Sequence, residues 1–162
     1  FQKDPQRLMR LCARLKERKP DLKVAIVGTG ELETEVKQLC EELGISENVN
    51  FLGFQSNPIK MVHDSKVMIL TSRWEGTPMC ALEAMALGTP VVSTPSDGMK
   101  DLIDDGINGY LTDDDAVMAE KLLAIMNDTD HRNYLGENAR KKFREINDAP
   151  RYKQAIWDCY RR

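Results

Sequence analysis

Two glutamates with seven residues between them are the feature of this sequence best suited to chemistry. Glu75 lies in a turn-like segment, and Glu83 lies in the short helix predicted to follow it. Helical side chains lean toward the helix N-terminus, so we expect the Glu83 carboxylate to point back toward the first turn. From there it could accept hydrogen bonds from two neighbouring hydroxyls, such as those of a ribose.

The helix that carries Glu83 has recognisable ends. Thr77 suits the N-cap, Pro78 suits the first helical position, and Gly88 suits the stop. The free N–H groups of the first turn, from about Met79, could hold a phosphate. Two simpler interpretations stay open: Glu83 could be a solvated helix residue, and Glu75 could merely complement the helix dipole.

The segments on either side of this helix position it. Residues 67–70 and 90–94 are short, apolar and rich in strand-forming residues, as strands buried on both faces tend to be. Strand, turn, helix and strand together predict a βαβ crossover. The helix N-terminus should then lie at the carboxyl edge of a parallel sheet, where anionic ligands bind.

The rest of the chain alternates in the same way. Further strands are predicted at 22–27, 49–52 and 110–111, and helices at 5–19, 32–43, 57–64, 99–103, 116–127, 130–143 and 150–160. This alternation is typical of an α/β fold with a parallel, Rossmann-like sheet flanked by helices. We predict a single domain over 1–162.

Composition excludes several classes of function. The 162 residues suffice for one core, and the formal charge of 23 − 26 = −3 offers no general attraction for nucleic acid. No apolar run approaches the roughly 18 residues of a membrane span, and no secretory signal is evident. Cysteines at 12, 40, 80 and 159 lack metal-site spacing. Reduced thiols in a cytosolic protein are the simplest interpretation.

A glycine pair could also contact a ligand. Gly28 and Gly30 resemble the start of a dinucleotide fingerprint, but Glu33 stands where the third glycine belongs. A nicotinamide cofactor site is therefore not expected. A tight turn between a strand and a helix explains the pair as well as ligand contact does.

Three other features have alternative explanations. Lys3 precedes a helix and could approach an anion at the sheet edge, although an exposed lysine is more often only solvated. The Asp113–Asp115 run suggests a metal site, but Asp115 is better explained as the cap of a helix from Ala116. Cys80 has no evident histidine partner, so we interpret it as a packing residue.

Several segments resemble the C-terminal half of retaining, GT-B-fold glycosyltransferases of family 4, the "group 1" glycosyltransferases. They are segments 26–30, 49–53, 72–78, 82–92 and 104–109, which occur in the family's order. Glu75 and Glu83 match both ends of the family's Glu-seven-residues-Glu motif. The resemblance covers nearly the whole chain, from Lys3 to about Phe143.

The resemblance implies that this domain binds a nucleotide-sugar donor, with a UDP-sugar as the expected kind. Glu83 would hold the ribose hydroxyls, and Glu75 would contact the donor sugar near the reacting carbon. The other donor-binding residues implied are Lys3 at the diphosphate, Gly28 and Gly30, Phe54 beside the nucleobase, and the backbone of Gly76, Thr77, Met79 and Cys80.

The reaction implied is sugar transfer with retention of configuration, supported by positioning and electrostatic stabilisation. No metal or other cofactor is expected. The acceptor, a glycan or lipid-linked sugar, would bind a missing N-terminal domain. Because the sequence starts at Phe1 rather than Met, we expect a fragment, inactive alone, that also lacks the family's first strand and its arginine.

The resemblance also suggests polysaccharide, O-antigen or capsule biosynthesis in the cytoplasm, at the inner face of the membrane. The last predicted helix, with Trp157 and Tyr160, could touch the membrane or the missing domain. Simple coverage of this domain's own core is the better interpretation.

Two departures from the family pattern leave contacts open. Pro78 stands where many relatives have glycine, and the 96–98 segment replaces a common Gly-Gly step. Other functional hypotheses are a non-catalytic nucleotide-binding module and another GT-B-like enzyme, such as a UDP-sugar epimerase or a phosphorylase. A phosphorylase is disfavoured because no lysine has a pyridoxal-site pattern.

Overall fold

A computed structural model describes residues 2–148. The helices there are α1 (Pro5–Arg18), α2 (Glu33–Glu42), α3 (Ile59–Asp64), α4 (Met79–Leu87), α5 (Asp97–Leu102), α6 (Asp115–Asn127) and α7 (Thr129–Ile146). The strands are β1 (Val24–Ile26), β2 (Val49–Phe51), β3 (Met68–Leu70), β4 (Val91–Ser93) and β5 (Gly109–Leu111). None of these helices is long and apolar enough to cross a lipid bilayer. The helix predicted at 150–160 lies outside the described residues.

Every strand pair in this range is parallel, which confirms the predicted α/β class. β1 pairs with β2, and β3, β4 and β5 form a second, three-stranded sheet in that order. Within the second sheet Met68 lies beside Val91, and Val91 lies beside Gly109. Thus β3, α4 and β4 form the predicted crossover, which places the start of α4 at the carboxyl edge of the sheet.

Three apolar clusters hold these layers together. One joins α1, β4, α6 and α7, one lies between α1 and α2, and one lies beneath α4. The cluster beneath α4 contains Ala81, Ala84, Met85, Val91, Met99, Leu102, Ile103 and Ala139. Because the buried face of α4 consists of small alanines and one long Met85, the helix packs closely on the sheet.

The start of α4 differs from the prediction by one residue. Pro78 is extended, with ψ 109°, so it occupies the N-cap position that we assigned to Thr77, and the helix begins at Met79. The Pro78 carbonyl accepts hydrogen bonds from the N–H groups of Ala81 and Leu82, at 3.0 and 3.3 Å. No side chain caps this helix. Its end is as predicted, since Gly88 adopts the left-handed conformation with φ 72°.

The start of α6 also differs by one residue. The Asp114 carboxylate, not that of Asp115, accepts the capping hydrogen bond from the Ala116 N–H at 2.7 Å. Asp115 is instead the first helical residue, and its carboxylate accepts from Arg7 Nε at 2.7 Å. Arg7 also donates to Asp113 Oδ1 at 2.7 Å, so the aspartate run ties α6 to α1. The capping interpretation of the run therefore holds, with a different residue as the cap.

We expect Arg7→Ala to lower the free energy of unfolding by about 1–2 kcal/mol, because charge-assisted hydrogen bonds to two carboxylates are lost. The Arg7 side chain is only 19% exposed, whereas that of Arg18, paired with Glu120, is 57% exposed. Arg18→Ala is thus a matched control, and it should cost less than about 0.5 kcal/mol. Urea denaturation of both variants tests this. Equal losses would contradict the structural role of Arg7.

Candidate active site

The Glu75 carboxylate is buried against the ammonium group of Lys3. Lys3 Nζ donates to Glu75 Oε1 at 2.6 Å, and the Glu75 side chain is 6% exposed while that of Lys3 is 61% exposed. Two further contacts join their segments: the Arg73 N–H donates to the Gln2 carbonyl at 2.9 Å, and Thr71 Oγ1 donates to the Lys3 carbonyl at 3.1 Å. The structure therefore brings together two predicted site residues that are far apart in the sequence.

Glu75 is a carboxylate at neutral pH. Burial acts to raise its pKa, but hydrogen bonding from Lys3, a contact with Ser72 and the charge of Lys3 together hold the pKa below its ordinary value of 4.5. The buried Ser72 hydroxyl makes no hydrogen bond of normal geometry in the described part of the chain, so Lys3 is the main cause of the lowered pKa.

The lowered pKa of Glu75 predicts that the stability difference between the wild type and Glu75→Gln depends on pH. Since the folded-state pKa of Glu75 lies below the unfolded one, the ion pair stabilises the fold fully above about pH 4.5 and loses that effect as the pH falls through the folded pKa. We expect Glu75→Gln to lower the melting temperature at pH 7 and to approach the wild type toward pH 3. Glu137→Gln, on an exposed site of α7, is the control. A gap between Glu75→Gln and wild type that does not change with pH would contradict the prediction.

The Cys80 thiol connects this ion pair to Glu83. Burial raises the thiol pKa, the charge of Lys3 opposes this rise, and the carboxylates of Glu75 and Glu83 add to it. All three charges thus lie within electrostatic range of one sulfur atom in the first turn of α4. The hydrogen bond from Lys3 to Glu75, and the short stretch of chain that joins Glu75 to the helix of Glu83, make these three residues candidates for one site. Cys80 itself remains a protonated, half-buried packing residue.

Glu83 also lines a groove along the outer face of α4. The groove has a volume of about 510 Å³, within the range of small-molecule sites. Thr77 and Met79 line it near the helix start, Ile59 lines it from α3, and Phe143 lines it from α7. Its walls are mostly apolar, and Met79 is 65% exposed. Two carboxylates, of Glu83 and Asp101, line this mostly apolar groove, so it can orient a ligand that has both an apolar face and hydroxyl groups.

The predicted glycine turns meet at the carboxyl ends of β1 and β2. The Gly28 N–H donates to the Gly53 carbonyl at 2.7 Å, and both residues have positive φ, 115° and 64°, which favours glycine. Gly30 accepts from the Glu33 N–H at 3.1 Å, and Phe54 is 78% exposed just beyond Gly53. An exposed aromatic ring beside these two glycine turns offers a stacking surface for a planar ligand.

The 96–98 segment, whose contacts the sequence left open, supports the loop at 71–78 that carries Glu75, called here the Glu75 loop. The Gly98 N–H donates to the Glu75 carbonyl at 3.1 Å. A Cβ atom at Gly98 would lie 1.1 Å from the Gly76 carbonyl oxygen, so the two backbones are in direct contact. Sequence reasoning missed this contact because nothing in the spacing of these residues indicates it.

A second missed feature lies at the start of α1. Arg73 Nε donates to Asp4 Oδ2 at 2.9 Å, and Gln2 Nε2 donates to the Trp74 carbonyl at 3.0 Å. Asp4 also caps α1 by accepting from the Arg7 N–H at 3.3 Å. The sequence predicted a helix from residue 5, but only the fold shows that the start of this helix is hydrogen-bonded to the loop that carries Glu75.

Comparison with known proteins gives a family match. The model of the family described as "Glycosyl transferases group 1" matches residues 1–142. N-acetyl-alpha-D-glucosaminyl L-malate synthase of Bacillus anthracis is 33% identical over 148 residues, which cover 87% of this chain and 39% of that protein. The Vi polysaccharide biosynthesis protein VipC/TviE of Salmonella typhi is 34% identical over 112 residues, or 69% of this chain and 19% of that protein. The chain thus spans well under half of these relatives.

Solved structures give the same answer for the fold. A mutant of TarM from S. aureus, solved in complex with fondaparinux, alpha-GlcNAc-glycerol and UDP, has a TM-score of 0.87 and 28% identity over 90% of this chain and 30% of that chain. HepE of Anabaena, in complex with UDP-glucose, has a TM-score of 0.86 and 25% identity over 98% of this chain and 45% of that chain. The α/β architecture described above is therefore that of a GT-B glycosyltransferase.

Proposed function

The chain belongs to the group 1 glycosyl transferases, and we propose that it is the donor-binding domain of a retaining glycosyltransferase. The observation that carries the proposal is the ion pair between the exposed Lys3 and the buried Glu75 carboxylate, which lies in the loop that leads into α4, the helix of Glu83. A binding site for a diphosphate sugar needs a cation, backbone donors and hydroxyl acceptors, and these groups supply all three.

We infer a UDP-sugar as the donor. Lys3 and the first-turn N–H groups of α4 would bind the diphosphate, and Glu83 would accept hydrogen bonds from the ribose hydroxyls. Phe54 would lie beside the base, as its exposure permits. The complexes of TarM with UDP and of HepE with UDP-glucose support this choice of nucleotide.

In the proposed reaction the bond between the anomeric carbon and the diphosphate oxygen breaks, and the acceptor hydroxyl oxygen bonds to the same face of that carbon. The acceptor proton passes to the departing diphosphate. Lys3 and the α4 amides would stabilise the negative charge that develops on that diphosphate, without a metal ion. Glu75 would orient the sugar and stabilise positive charge near the reacting carbon.

The acceptor is proposed to be a glycan or lipid-linked sugar held by a further domain. The relationship to VipC/TviE, a polysaccharide biosynthesis protein, supports a role in polysaccharide biosynthesis. A site at the cytoplasmic face of a membrane would suit a lipid-linked acceptor, and we propose that location.

Calorimetric titration of this chain with UDP, GDP, ADP and UDP-glucose tests the donor assignment. We expect saturable, one-to-one binding of UDP and UDP-glucose, and weaker binding of the purine nucleotides. Absence of binding by every nucleotide would contradict the proposal. If UDP and UDP-glucose bound equally well, and if replacement of Glu75 changed neither affinity, the non-catalytic nucleotide-binding module would be favoured instead.

A further inference from the structure

We propose that Gly98 is a positioning residue for Glu75. In this proposal the backbone at the start of α5 fixes the peptide after Glu75, and thereby the place of the Glu75 carboxylate beside Lys3. The proposal deepens the proposed function and rests on it where donor binding is concerned.

The first observation is the lack of space at Gly98. An added Cβ atom would lie 1.1 Å from the carbonyl oxygen of Gly76, 2.3 Å from its carbonyl carbon and 3.1 Å from the Glu75 carbonyl oxygen. All three atoms are backbone, so no flexible side chain can move aside. The φ angle of Gly98 lies outside the left-handed range, so glycine is needed here for close approach and not for an unusual conformation.

The second observation is the hydrogen bond that orients the contact. The Gly98 N–H donates to the Glu75 carbonyl at 3.1 Å. Glu75 is therefore held on two sides, by Gly98 at its main chain and by Lys3 at its carboxylate, where Nζ and Oε1 are 2.6 Å apart. Neither contact by itself would fix both the peptide and the side chain.

The third observation is that α5 is a firm support. Met99 is fully buried in the cluster beneath α4, and Leu102 is 5% exposed. The Ser96 carbonyl accepts from the N–H groups of Met99 and Lys100, at 3.0 and 3.1 Å. Because α5 packs on the same apolar cluster as α4, it keeps the Glu75 loop in a constant position relative to the start of α4.

A side chain at position 98 must displace the peptide between Glu75 and Gly76. Contact between a Cβ atom and a carbonyl oxygen requires about 3 Å or more, so the Glu75 loop would have to move by more than 1 Å. Such a movement separates the Glu75 carboxylate from Lys3. Displacements of this size at a reacting centre lower rates by about 100-fold, although the nucleotide can still bind elsewhere in the site.

The first experiment needs no ligand. The pH dependence of the melting temperature is measured for wild type, Gly98→Ala, Glu75→Gln and the double variant. In the wild-type background, Glu75→Gln should lower the melting temperature by an amount that depends on pH. If Gly98 positions Glu75, the same substitution should have no pH-dependent effect on the melting temperature in the Gly98→Ala background. A gap of the same size and pH dependence in both backgrounds would overturn the proposal.

The second experiment compares UDP-glucose with UDP by calorimetry. We expect Gly98→Ala to lower the affinity for UDP-glucose at least fivefold relative to that for UDP, as Glu75→Gln should. Equal losses for the two ligands would show a merely structural role and overturn the proposal. If wild type bound neither ligand, the proposed function would fail, while the ligand-free experiment would still decide the role of Gly98.

Gly136→Ala is the matched control for both experiments. Its Cβ atom would lie 2.2 Å from the Gly88 carbonyl oxygen, so it makes a similar backbone clash at the opposite end of α4. It should destabilise the fold but leave the relative affinity for UDP-glucose and the effect of Glu75→Gln unchanged. If Gly136→Ala changed the relative affinity for UDP-glucose and the effect of Glu75→Gln as much as Gly98→Ala does, the proposal would be overturned.

A measurement on the wild type covers the case in which Gly98→Ala does not fold. The amide proton of Gly98 should exchange slowly with solvent, because it is hydrogen-bonded to Glu75. Its protection should increase when UDP-glucose is added, and less so with UDP. Exchange at the rate of an unprotected glycine would contradict the positioning contact.

Discussion

Replacement of Glu83 by alanine should weaken the binding of UDP by about 10- to 100-fold, the loss expected for hydrogen bonds to a charged group. Glu83 lies on α4 and lines the groove. Its charge acts on the pKa of the Cys80 thiol, as the charges of Lys3 and Glu75 do. A ribose with its diphosphate at the helix start would place two hydroxyls near this carboxylate. Alanine removes both acceptors and leaves those hydroxyls facing an apolar wall.

Calorimetry with three variants makes this test specific. Glu83→Gln retains one acceptor and the side-chain volume, so it should show an intermediate loss. Glu137→Ala removes the same charge from an exposed site on α7 and should bind UDP like the wild type. If Glu83→Ala bound UDP as well as Glu137→Ala does, the ribose assignment would be wrong. A loss in both variants would indicate only a general effect of charge.

Gly136→Ala should lower the free energy of unfolding by about 3 kcal/mol, at the upper end of the range for overpacked sites. Gly136 is buried in α7, and its added Cβ atom would lie 2.2 Å from the Gly88 carbonyl oxygen. Gly88 in turn must keep its left-handed conformation to end α4. Because both partners are backbone, the two helices would have to move apart, and the packing of Ala139 and Met85 would loosen.

Urea denaturation measures this loss, with Asn133→Ala as the control. Asn133 lies on the exposed face of the same helix, where alanine raises helix propensity and should change stability by less than about 0.5 kcal/mol. A Gly136→Ala variant as stable as Asn133→Ala would show that α4 and α7 can separate at little cost. The close contact between them would then not hold α4 in place.

Local chemistry made much of the fold predictable. The crossover around α4 followed from two apolar strands, and the stop at Gly88 followed from the conformational freedom of glycine. The starts of α4 and α6 were each displaced by one residue, because two neighbouring residues could serve as the cap. At α6 the choice was settled by Arg7, which engages Asp115 and leaves Asp114 to cap the helix.

The candidate site was predictable as a set of residues but not as an arrangement. Lys3 could be expected near an anion, but its pairing with Glu75 depends on how the start of α1 is fastened to the loop after β3. The contact between Gly98 and Gly76 is wholly tertiary. Residues far apart in the chain reveal such contacts only when the strands that carry them have been aligned.

The ion pair between Lys3 and Glu75 also bears on how the molecule folds. The two residues are 72 positions apart, so their contact closes a long loop whose entropic cost grows as (3/2)RT ln n. Long-range contacts of this kind form slowly in comparison with helices. The pair can therefore form only after α1, β3 and the loop after β3 have met, and the proposed anion site would form with it. A chain with native helices but incomplete sheet alignment would lack the site entirely.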